Sequence, residues 1–105
     1  MNTLTITSEN FQTEVVESSK PVLLDFWAPR CGPCLQIGPI IDEIATEVDS
    51  IVVGKVNVDE NRQLAIKFGI MSIPYLAILK NGEVVDSTIG MQNKESLLEM
   101  IKPHM

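Results

Sequence analysis

The sequence predicts an α/β protein in which one mixed β-sheet is sandwiched between helices. Three observations carry that prediction. The run VLLDFWA (22–28) is apolar almost without alternation, as a strand buried on both faces must be. It is followed by Leu35, Ile37, Ile40, Ile41, Ile44, Ala45 and Val48, which recur at helical spacing. Farther on, YLAILK (75–80) and EVVDSTI (83–89) flank Asn81-Gly82, the pair of residues that suits a two-residue type I′ hairpin turn.

In chain order, Leu4–Ile6 is a short β-prone piece, and Thr7 or Ser8 can cap a helix running to about Glu17 with Phe11, Val15 and Val16 on one face. Pro21 opens the apolar strand. The long amphipathic helix then starts at residues 31–34 and contains Pro39, which should kink it. IVVGKVNV (51–58) is the next strand, and residues 62–68 form a short helix ended by Gly69. After the hairpin a last helix covers roughly 94–102 and stops at Pro103. Right-handed crossovers make the first three strands parallel, and the hairpin adds antiparallel pairing.

A chain of 105 residues is expected to be a single domain, 1–105. With 45% hydrophobic and 21% charged residues it has the composition of a globular protein, and no apolar run approaches bilayer-spanning length. The leading MNTLTITSENF has neither a basic segment nor an apolar core, so a cytoplasmic protein without a secretory signal is expected. Net charge is −6 with the basic residues scattered singly, which argues against a nucleic-acid partner.

The two cysteines both lie in WAPRCGPC (27–34), where the central strand hands over to its helix. Open α/β sheets place their sites at that end of the strands. As a staple, a disulfide closing over Gly32 and Pro33 alone would remove little denatured-state freedom. Two cysteines and the lone His104 do not complete a zinc site, and Leu35 stands where a c-type haem tether needs histidine. Neither a metal nor a cofactor is expected. A reactive pair has positive physics behind it. At the start of a helix, unpaired N–H groups and the dipole favour a thiolate at Cys31, and Arg30 adds a neighbouring positive charge. Pro33 fits the first turn, where its missing N–H is no loss. Cys34, one turn in, should be more buried and less acidic, leaving an attacking and a resolving thiol.

Asp25 interrupts the apolar strand. It is either a carboxyl satisfied at a solvated edge or by backbone donors, or a buried one with a raised pKa that can exchange a proton with Cys34. Lys55 is its charge partner if strand 51–58 lies beside the central one, and otherwise a snorkelling surface residue. Ile73-Pro74 precedes a strand, where proline is ordinary, and trans is the base expectation.

DFWA-x-x-CGPC (25–34), Pro39, K-x-N-x-D (55–59), Ile73-Pro74, and Asn81-Gly82 with Gly90 beyond together resemble the thioredoxin family over roughly residues 3–102. The resemblance implies a five-stranded sheet of order 1-3-2-4-5 flanked by four helices and a protein-disulfide reductase activity. It implies that Cys31 is the nucleophile and Cys34 the resolving thiol of a redox disulfide. Asp25 would be the buried proton acceptor, with Lys55 its neighbour. Pro74 would be a cis-proline preceded by a substrate-pairing backbone at Ile73. Trp27, Arg30, Gly32, Pro33, Ile73, Pro74 and Gly90 would form the substrate-binding surface. The implied partners are disulfide-containing proteins and a thioredoxin reductase, with the chain a monomer away from membranes. Three positions depart from the family pattern. Arg30 stands in place of a second Trp, Leu35 in place of Lys or Arg, and Tyr75 in place of Thr. Arg30 is expected to favour acidic targets, and Leu35 and Tyr75 to make the rim more apolar. The rival readings are an oxidase or isomerase, and a scaffold subunit whose thiols are dispensable.

Overall fold

Five strands form one sheet in the order β1-β3-β2-β4-β5 in the computed structural model, which describes residues 2–105. They are β1 (Thr3–Thr5), β2 (Val22–Trp27), β3 (Val52–Asn57), β4 (Tyr75–Lys80) and β5 (Glu83–Ile89). β1, β3 and β2 run parallel, while β4 is antiparallel to both β2 and β5. The expected topology is therefore observed. The helices are α1 (Gly32–Glu47), α2 (Arg62–Lys67) and α3 (Lys94–Ile101), with a π-helix at Gln12–Val16 near the start.

Side-chain alternation along β2 divides the core into two layers. Val22, Leu24 and Phe26 pack with Phe11, Val15 and Leu64 on one face of the sheet. Leu23 packs with Ile37, Ile41 and Ile44 of α1 and with Leu97 and Ile101 of α3 on the other. Because strand residues alternate with a period of two, Asp25 falls on the same face as Leu23, under α1. Its register partner on β3 is Lys55. The two charged residues of the central strands are thus side by side beneath one helix.

The first helix departs from expectation. Residues 8–10 form turns, and the regular portion is only the five-residue π-helix. Thr7 nonetheless caps the segment as expected: Asn10 N donates to Thr7 Oγ1 at 3.4 Å, Asn10 Oδ1 accepts from Thr7 N at 2.7 Å, and Asn10 Nδ2 donates to the Thr5 carbonyl at 2.9 Å. Pro39 lies inside α1, which nonetheless continues unbroken to Glu47. Pro103 sits in a 3₁₀ turn (Lys102–His104) that extends the last helix. At the hairpin Asn81 and Gly82 have φ of 54° and 82°, the pair of positive values that a type I′ turn requires.

Candidate active site

The two cysteines are joined as a disulfide at the N-terminus of α1. Cys31 is the N-cap, with extended backbone angles, and its Sγ accepts the Cys34 N–H at 3.2 Å. A sulfur therefore does what a capping oxygen usually does, and one of the helix's unpaired donors points at it. In the reduced protein the same donor and the helix dipole favour the thiolate at Cys31. Gly32 and Pro33 occupy the first two helical positions, both exposed. Cys31 is 9% exposed and Cys34 2%, so the expected asymmetry is present but is one of degree: both sulfurs are largely enclosed.

The strand β4 begins after a cis Ile73-Pro74 bond, as the family resemblance implies and against the base expectation of trans. The Ile73 carbonyl oxygen lies 3.8 Å from Cys31 Sγ. Gly90, with φ of 92°, donates its N–H to the Pro74 carbonyl at 2.8 Å, which fixes the end of β5 against the proline. Trp27 and Ile73 are half-buried and Pro74 is buried. The loop 73–74, the 31–34 turn and Gly90 are thereby gathered at one end of the sheet.

Behind Cys34 a cleft of about 240 Å³ opens between α1 and the sheet, lined by Asp25, Trp27, Cys34, Gly38, Asp42 and Lys55 among others. Asp25 is 1% exposed, and its Oδ1 has no hydrogen-bond partner. Asp25 is thus buried rather than placed at a solvated edge. Burial pushes its pKa up from 3.8 to about 7; Lys55 pulls it down and Asp42 raises it again. Lys55 is not directly paired to Asp25. Its Nζ lies 2.8 Å from Asp42 Oδ1, an ion pair whose angles are not those of a hydrogen bond.

Two contacts at the rim were not legible in the sequence. Arg30 forms a two-pronged contact with Asp59, Nη2 to Oδ1 at 3.0 Å and Nε to Oδ2 at 3.3 Å, an exposed pair beside Cys31. Tyr75 packs its half-buried ring against Phe26, with centroids 5.7 Å apart. Leu35 is exposed as expected, at 55%. Met71, two residues before Ile73 and 95% exposed, supplies apolar surface that the sequence reading passed over. Asp42 was also missed, although a signal was there: Cys34, Gly38 and Asp42 follow at intervals of four, which places them on one helix face.

Among the described residues no cluster of His, Cys, Asp and Glu could hold a metal ion, and no helix is long and apolar enough to cross a membrane. The family model for thioredoxin matches residues 2–103. The chain is 48% identical over 101 residues to "Thioredoxin 1" of Synechococcus elongatus, covering 95% of this chain and 94% of that one. It is 50% identical over 97 residues to "Thioredoxin" of Rickettsia prowazekii, covering 91% and 92%. It is 45% identical over 100 residues to "Thioredoxin" of Bacillus subtilis, covering 94% of each. With the five-stranded order, the redox-capable CGPC pair at a helix N-terminus and these matches, the chain belongs to the thioredoxin family of protein-disulfide oxidoreductases.

Proposed function

We propose that Cys31 is the attacking thiol and Cys34 the resolving thiol of a disulfide reductase, with Asp25 receiving the proton that Cys34 gives up. The observation that carries this is the polarity of the pair. Cys31 Sγ sits at the mouth of α1 accepting an N–H, whereas Cys34 backs onto the cleft that holds Asp25. In the first step the Cys31 thiolate attacks one sulfur of a substrate disulfide. The substrate S–S bond breaks, a mixed disulfide forms and one substrate thiolate leaves.

In the second step Cys34 loses its proton to the Asp25 carboxylate, directly or through a water in the cleft. It then attacks Cys31 Sγ. The Cys31–substrate bond breaks and the second substrate thiolate departs, so two electrons have passed from the cysteine pair to the substrate. A carboxyl with a pKa of about 7 is suited to this exchange at neutral pH, since neither its acid nor its base form is scarce. Trp27, Gly32, Pro33, Ile73, Pro74 and Gly90 border the place where an extended substrate segment would lie, with the Ile73 backbone next to the reacting sulfur. Recognition mainly through backbone and a shallow apolar surface makes selectivity broad. The chain works as a single-domain monomer in the cytoplasm and is reduced again by a thioredoxin reductase, as is usual in the family.

The test is a Cys34→Ser variant mixed with a disulfide-containing protein. A covalent adduct through Cys31 accumulates on this reading, and no adduct forms with Cys31→Ser. An adduct that forms equally well with Cys31→Ser overturns the order of attack.

A further inference from the structure

Lys55 is the register neighbour of Asp25, yet its ammonium is drawn to α1, where Nζ lies 2.8 Å from Asp42 Oδ1. Two carboxyls therefore compete for one cation in a cleft that also holds Cys34. The ammonium lies against α1 at Gly38, where a built Cβ would stand 3.8 Å from Lys55 Nζ, at ordinary contact distance. We propose that Asp42 is a positioning residue of the resolving step, holding Lys55 Nζ so that Asp25 is not locked as the charged half of an Asp25–Lys55 ion pair. This rests on the reading of Asp25 as proton acceptor.

The physical argument is one of competition. An acceptor tied directly to an ammonium is stabilised as the carboxylate and has little tendency to take a proton. With Lys55 compensated by Asp42, burial is the dominant influence on Asp25, and the negative charge of Asp42 adds to it. Among the described residues no other charged side chain faces Asp25 from the neighbouring elements. Leu76 opposes it on β4, and Glu43 and Glu47 of α1 are engaged with Lys94 of α3. Cys34 is the remaining titratable group of the cleft once reduced.

The test follows the carboxyl carbon of Asp25 by NMR against pH in the oxidised full chain, where the cysteines do not titrate. Asp42→Asn, close to isosteric, should lower the Asp25 midpoint by on the order of one pH unit, and Lys55→Met should raise it. In the Lys55→Met background Asp42→Asn should move the midpoint less, because only the direct repulsion remains to be lost. An Asp25 midpoint unmoved or raised by Asp42→Asn overturns the proposal. An equal downward shift in both backgrounds also overturns it, since Asp42 would then act without holding Lys55. The proton-acceptor reading fails separately, if Asp25→Asn leaves the pH profile of mixed-disulfide resolution unchanged.

Discussion

Replacing Asp25 by Asn removes a carboxyl that folding forces to hold its proton, and the consequence is a change in how stability depends on pH. The group's pKa rises from 3.8 to about 7 on folding, chiefly through burial. Between those values the folded chain binds a proton that the unfolded chain releases, so stability falls as pH rises. The contribution is fully present below about pH 4 and lost by the time pH exceeds about 7. At 1.36 kcal/mol per unit the displacement amounts to roughly 4 kcal/mol, the cost of burying the ionised form. The assay is urea unfolding of the oxidised wild-type protein and of Asp25→Asn, from about pH 4 to about pH 8. The disulfide keeps the cysteines from titrating, and the other ionisable groups cancel in the comparison. The variant should gain on the wild type by roughly 4 kcal/mol across that range, a relative shift in urea midpoint on the order of 2 M. Any constant loss from the amide's own packing drops out. Two stability curves that stay parallel across the range would refute the reasoning.

Other perturbations test the frame around the site. Gly54→Ala places a Cβ 2.6 Å from Ile6 Cγ1 and 3.1 Å from Leu24 Cδ2, and neither fully buried neighbour can retreat. It should destabilise by about 1–3 kcal/mol in denaturant unfolding. Asn93→Ala removes the side-chain acceptor of the Ser96 N–H at the start of α3. A loss of about 1 kcal/mol is expected, with the disulfide exchange rate unchanged. Arg30→Trp breaks an exposed pair with Asp59 and should cost less than about 1 kcal/mol of stability. It should also lower the reduction rate of targets with acidic residues beside their disulfides relative to other targets; identical rate changes for all targets would remove Arg30 from partner choice.

The sheet was legible because each strand carries its own signature. VLLDFWA shows no alternation because both faces of β2 are covered, and Asn81-Gly82 shows the positive-φ requirement of its turn. The start of the first helix was legible, since Thr7 Oγ1 accepts the Asn10 N–H and Asn10 Oδ1 accepts the Thr7 N–H as a reciprocal cap, but nothing in the sequence marks its regular part as a five-residue π-helix. Cys31, Cys34 and Asp25 could be picked out since each is anomalous where it stands. Asp42 is not anomalous: an acidic residue in an amphipathic helix reads as solvated surface until the strand beneath it is known to present Lys55. The contacts of Tyr75 and Arg30 were not legible for a related reason. A sequence position fixes which residue follows the proline or precedes the cysteine, but not whether a ring turns inward to Phe26 or a guanidinium finds Asp59.

The central claim is the polarity of the cysteine pair, and the most direct measurement is alkylation of the reduced protein as a function of pH, with the modified residue mapped by mass spectrometry. Cys31, capped by the Cys34 N–H at the start of α1, should be modified first, with a midpoint below the ordinary thiol value of about 8.5. Cys34 should stay protected until the protein unfolds. Modification of Cys34 before or together with Cys31, or a Cys31 midpoint at or above about 8.5, would contradict the account.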